Sequence, residues 1–235
     1  ELGVALYEND NSGEVIDTIG LTFGVWNSIH DGPSGSSGAP NDAFYEFDAY
    51  VGVAVGLLDV WEISGQYTVL NSPSNAFATT QEFSFRVAYD DSELLGDWAV
   101  SPYITIIVET DGGADAGGDL GTYLELGIEK SWTVVESETW PVTFTIPVTI
   151  GFSLDNYYED AFGKDSTFGY VDVGFVFGVP LEELIPSQFG AWELSVGVHL
   201  LALGDSTNDI AERDSAVDGN ANLEVIGVIG ISAGF

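Results

Sequence analysis

The last fifteen residues, ANLEVIGVIGISAGF, alternate between two kinds of side chain as far as the final position. Leu223, Val225, Ile229, Ile231 and Phe235 fall on one side. Asn222, Glu224, Ser232 and Gly234 fall on the other, with Ile226 and Val228 as exceptions. A β-strand repeats every two residues, so this segment has one apolar face and one small or polar face. A closing strand that ends on an aromatic residue is expected of a β-barrel whose outer surface meets lipid. The last strand of a soluble sandwich would alternate in the same way.

The pattern recurs along the chain. About eleven strand-like segments lie near 1–7, 17–28, 43–55, 58–70, 78–90, 98–110, 120–134, 140–155, 167–179, 191–204 and 221–235. The clearest apolar face is Val142, Phe144, Ile146, Val148, Ile150 and Phe152. The longest apolar stretch, AYVGVAVGLL, is about ten residues, half of the roughly 20 that a helix needs to cross a bilayer. A chain that enters a membrane with such segments must do so as a closed barrel, because only helices and barrels satisfy every backbone group in lipid.

Two observations favour lipid outside over lipid-free packing. Connections near 29–42, 111–119, 156–166 and 205–220 read as long and acidic, and those near 56–57, 91–97 and 135–139 as short. Long loops at one end and short turns at the other is the pattern of outer-membrane barrels. The link over 180–190 is a longer exception at the short-turn end and suits one helical turn. The tryptophans agree: Trp61, Trp98, Trp132, Trp140 and Trp192 share the apolar parity and gather at the short-turn rim, with Tyr89 and Phe235. That reads as an aromatic girdle at a membrane interface.

The expected fold is therefore all-β: one antiparallel up-and-down transmembrane barrel over residues 1–235. Bacterial single-chain barrels have an even strand count. With the C-terminus at the short-turn end, the segment at 1–7 runs downward, and an upward strand is expected before it. Twelve strands are expected for the complete barrel, about eleven of them within this chain.

Composition limits the function. Lys and Arg number 4 against 38 Asp and Glu, a formal net charge of −34. Nucleic-acid binding through phosphate contacts is excluded, because it needs a basic surface. With no Cys there is no disulfide or zinc–thiolate chemistry. The absence of Met reads as a mature exported chain or a fragment.

Several segments resemble a known family. GLTFGVWNS, FYEFDAYVGV, SPYITIIVETDGG followed by GDLGTYLELGIEKSW, and the closing strand ending in Phe235 are similar to TorF-type porins, a family of conserved exported outer-membrane proteins. The resemblance covers most of the chain and rests on structural motifs. It implies a small outer-membrane barrel and passive permeation, and it assigns no residue a chemical role. The chain departs from the family in its acidity, which a saline habitat or bridging by divalent ions would explain.

Three sets of residues are candidates for function. The polar faces carry Glu46, Asp48, Glu62, Glu82, Glu125, Glu129, Asp172 and Glu193, with Arg86 as their one basic neighbour. Carboxylates lining a narrow lumen attract cations, so a cation-biased pore for small solutes is expected. The alternative is a lumen filled by these carboxylates and Tyr50, Tyr103, Tyr123 and Tyr170, since small barrels are often packed inside. Such a barrel would act through its surface.

The second set is Asp111, Asp115 and Asp119 in the Gly-rich loop DGGADAGGD, with Asp205, Asp209, Asp214 and Asp218 in a later loop. Oxygen ligands of this kind suit Ca²⁺, although neither loop matches the EF-hand pattern and solvated acidic loops are the plainer reading. The third set is enzymatic. Ser195 and His199 share a face but stand about 13 Å apart at roughly 3.3 Å per residue, too far for a nucleophile and its base. His30 lies in a long loop. Glu125 and Glu129 are likewise too far apart along one strand for a retaining glycosidase. No catalysis is expected. The expected partners are outer-membrane lipid and small solutes or cations, with assembly into a homo-oligomer or a larger envelope complex left open. A soluble acidic β-sandwich that binds or hydrolyses carbohydrate is the remaining alternative.

Overall fold

A computed structural model describes residues 1–9, 14–29, 44–75, 77–113, 119–159, 163–206 and 223–234. The strands are β1 (Leu2–Glu8), β2 (Ile16–Ile29), β3 (Phe44–Leu57), β4 (Trp61–Asn71), β5 (Thr80–Tyr89) and β6 (Tyr103–Asp111). They continue as β7 (Thr122–Val135), β8 (Val142–Asp155), β9 (Phe168–Pro180), β10 (Ala191–Leu203) and β11 (Leu223–Gly234). Each pairs with its sequence neighbours, and β1 meets β11 to close a barrel. Every neighbouring pair except the last is antiparallel.

The ring has eleven strands, the number expected within this chain. An up-and-down ring with an odd count must contain one parallel neighbour pair. Here it is β1 with β11, registered at Leu2 with Ala233 and Gly3 with Gly234. Leu2 also marks the upper limit of β1 against β2, where it faces Phe23.

The barrel is inside out by the standard of a soluble protein. Among the described residues the buried hydrophobic side chains are Ile107, Tyr158 and Ala233. The apolar faces point outward: Val25 is 55% exposed, Phe83 47% and Phe177 48%. Ile104, Ile106, Val108, Leu126, Ile128, Val196 and Val198 join them in a continuous band. Soluble monomers rarely expose apolar patches beyond a few hundred Å². On this band Phe144 stands between Trp132 at 6.0 Å and Phe177 at 4.9 Å between ring centroids.

The lower end of the barrel, where Leu57 and Trp61 face each other, carries the connections 58–60, 90–102, 136–141 and 181–190. The first is a tight turn with Leu58 and Asp59 both at positive φ. The second is not the short turn expected at 91–97. It holds a one-turn helix α1 (Ser92–Leu95) and a 3-10 turn (Gly96–Trp98), and β6 starts at Tyr103 rather than near 98. The buried Asp91 carboxylate accepts the amides of Val100 and Ser101 at 3.0 and 2.9 Å. Ser101 has φ +45° and Pro102 has no N–H, so upstream of Tyr103 only carbonyls still pair: Pro102 O accepts from Tyr89 N–H at 3.0 Å and Val100 O from Glu129 N–H at 2.6 Å. The 181–190 link holds the single turn expected of it, at Ser187–Phe189.

Trp61 and Trp132 sit on the outer face near this rim, and Trp61 lies 4.5 Å from Tyr89. Trp192 is half-buried at the start of β10, and its indole N–H donates to the Phe189 carbonyl at 2.7 Å. Trp98 and Trp140 correct the sequence reading. Both lie in connections and not on strands, so strand parity does not apply to them, and Trp98 is 83% exposed. Lys130 lies beside Trp132, its amine donating to the Asp97 carbonyl at 2.7 Å. Phe235 lies outside the described residues.

Candidate functional site

The inward faces are built from carboxylates, hydroxyls, glycines and tyrosines. Glu46 and Asp48 come from the upper part of β3 and Glu82 from the upper part of β5. Arg86 lies at mid-barrel, opposite Ser64 of β4 and Thr105 of β6, and Thr105 faces Glu125 of β7. Glu62 and Glu193 stand near the lower ends of β4 and β10, and Glu129 lies opposite Pro147 of β8. Strand register thus brings all the predicted pore-lining residues to the inner face. It brings only some of them together.

Glu62, Glu82, Arg86 and Glu125 line one cavity of about 530 Å³, with Gln66, Thr105 and Tyr123. A second cavity of about 580 Å³ lies toward the lower end, and Glu62 and Arg86 line it too. The two spaces meet along the β4–β5 wall, with this oppositely charged pair between them. Asp172 stands apart, its carboxylate 2.7 Å from His199 Nδ1. Glu109, also inward, is engaged structurally: its carboxylate accepts the Gly121 amide at 2.7 Å.

The tyrosines occupy sockets made by glycines. A Cβ placed on Gly127 would overlap the Tyr103 ring, one on Gly24 the Tyr50 ring, and one on Gly169 the Tyr158 ring. Arg86 lies over the Tyr103 ring, with the guanidinium carbon 3.6 Å from the ring centroid, a cation–π contact that holds the charged head in place. The Tyr103 hydroxyl is 2.9 Å from Thr149 Oγ1. Gly127→Ala should displace Tyr103 and destabilise the barrel by about 1–3 kcal/mol, the usual cost of overpacking. Urea unfolding midpoints of the two proteins would measure it.

The upper lumen is crossed by a segment that the sequence did not single out. Asn156 turns with φ +46° directly after β8, and the chain folds inward instead of continuing away from the barrel. Tyr157 then reaches β5, where its hydroxyl donates to Glu82 Oε1 at 2.8 Å. Its ring lies 4.2 Å from Tyr123 and 5.0 Å from Tyr158. Burial holds the Tyr157 and Tyr158 hydroxyls above the usual phenol range, so both remain protonated donors. Tyr170 completes the cluster by donating to Glu125 Oε2 at 2.9 Å. The available signal was two consecutive tyrosines immediately after a strand, facing the inward glycines Gly121, Gly151 and Gly169.

The other candidates contribute less. Asp111 is engaged by Gln81 Nε2 at 3.0 Å, Asp119 is exposed and Asp115 lies outside the described residues. Among the described residues no group of three acidic or His side chains is arranged to hold a metal. Asp209, Asp214, Asp218 and His30 also fall outside them. The His199–Asp172 pair has the form of a base and its orienting acid, but Ser195 packs toward Gly230 on β11 instead of toward His199. Comparison of the chain with family models, with curated proteins and with solved structures gives no match.

Proposed function

We propose that this chain is an outer-membrane channel of the porin type, passing small solutes and favouring cations. The observation that carries the reading is the reversal of inside and outside: an apolar band covers the barrel, and charged groups line two adjoining cavities within it. In water the band would be a large liability, whereas in a bilayer it is the required surface. Trp61, Trp132 and Trp192 then sit at the inner interface with Lys130, whose long side chain reaches polar partners there. The long acidic loops face outward and the C-terminus faces the periplasm. This agrees with the resemblance of the chain's motifs to those of TorF-type porins. We assign the chain no catalytic role.

Glu62 and Glu125 set the field of the path, with Arg86 focusing it locally. Glu62→Gln combined with Glu125→Gln should shift the reversal potential in a salt gradient toward zero while leaving channels open. An unchanged reversal potential in the double variant would remove these two residues from the selectivity mechanism.

A second reading is favoured by the Tyr157–Glu82 bridge, which crosses the upper lumen. A barrel closed there would act through its acidic loops, with divalent ions linking it to lipid or to neighbouring chains. Calcium-dependent association without conductance would support it.

A further inference from the structure

Arg86 is the one basic side chain lining either cavity, yet it neutralises none of the surrounding acids. No carboxylate among the described residues lies within 4.0 Å of its guanidinium. Its Nε is buried and has no hydrogen-bond partner. The neighbouring Thr105 is 7% exposed, and its hydroxyl likewise lacks a partner. Contact with the Tyr103 ring, 3.6 Å from its centroid, holds the guanidinium head in place. A fixed planar cation with an idle hydroxyl beside it is a seat for a carboxylate, which accepts two parallel N–H bonds from such a group.

A simple anion is disfavoured there by its neighbours. Glu62, Glu82 and Glu125 line the same cavity. Glu62 is the diagonal cross-strand neighbour of Arg86, since Glu62 faces Ala88 and Ser64 faces Arg86. Such diagonal pairs have backbones about 7–8 Å apart, so the two opposite charges stand side by side on one wall of the cavity. A lone cation would meet Arg86, and a lone anion would meet the carboxylates. A molecule carrying both charges satisfies both.

We propose that the cavity at Arg86 is a binding site for small zwitterions bearing a carboxylate and an ammonium group. The carboxylate lies on Arg86 and Thr105, and the ammonium lies toward Glu62. The proposal rests on the reading of the lumen as open to solutes and names the class of solute it selects.

The test is calorimetric titration of the full chain, folded in detergent micelles, with 4-aminobutyrate, butylamine and butyrate. Aminobutyrate should bind about tenfold or more tightly than either single-charge probe, the scale of one charge-assisted hydrogen bond. Arg86→Gln should remove its advantage over butylamine. Thr105→Val, which keeps the side-chain shape, should weaken aminobutyrate and leave butylamine unchanged. Equal binding of aminobutyrate and butylamine to the unaltered chain would overturn the site. So would full aminobutyrate affinity in folded Arg86→Gln. If no probe binds while the same preparation conducts ions after insertion into a planar bilayer, the zwitterion site fails and the channel stands. If it neither binds nor conducts, both fail.

Discussion

Ile106→Arg should destabilise the folded barrel in lipid vesicles by about 2–4 kcal/mol, the cost of a cation on the lipid face near the bilayer midplane. Ile106 lies midway along β6 on the outer face, in register with Phe85 and Leu124. At 39% exposure it would be an unremarkable surface site in a soluble protein, where substitution usually changes stability by no more than about 0.5 kcal/mol. Ser84→Arg provides the comparison. Ser84 lines the cavity with Glu62, Glu82 and Glu125, so the new cation meets water and carboxylates instead of hydrocarbon. Urea unfolding in vesicles should therefore separate the two variants by most of that cost. Equal midpoints would contradict the assignment of the outer face to lipid.

The second large effect concerns the tyrosine bridge. Tyr157→Ala removes the ring packed on Tyr123 and the hydroxyl bonded to Glu82. The loss of that hydrogen bond should cost about 0.5–1.5 kcal/mol. It should also widen the upper lumen, so single-channel conductance should rise severalfold. Tyr157→Phe keeps the ring and removes only the bond, and should give an intermediate conductance with more frequent transitions between levels. If the Ala variant conducts as the unaltered chain does, the narrowest point lies elsewhere.

The barrel was legible because its signal repeats. A period of two recurs along long strands, and each inner residue carries a different chemistry from its outer neighbours, so the face of β8 could be assigned residue by residue. The chain ends of strands were less legible. Near Trp98 the apolar parity continues upstream of β6, but Asp91 captures the amides that a longer strand would need. A capture of this kind depends on a carboxylate ten residues away and leaves no periodic trace. Strand number within the chain was legible, since eleven alternating segments gave eleven strands, but the parallel β1–β11 contact that closes the ring was not, because parity describes only antiparallel neighbours.

The lumen was legible as a list of inward carboxylates and hardly at all as a site. Sequence position says that Glu62 and Glu82 share a face, but not that Glu109 is taken up by Gly121 or Asp172 by His199. Those partners lie on other strands or beyond loops. The inward turn at Asn156 was invisible because a left-handed residue in a polar loop is ordinary, and only the fold reveals that the next two residues enter the barrel. The glycines opposite the tyrosines carried the missing information. They mark where a ring must lie flat, and a tyrosine without an assigned socket on its own wall is one that reaches across.

The most direct test of the central claim is the reversal potential of single channels formed by the unaltered chain in a planar bilayer under a potassium chloride gradient. The account predicts discrete conductance steps and a reversal potential displaced toward the potassium equilibrium value. Folded and inserted protein that carries no current, or a displacement toward the chloride value, would contradict it.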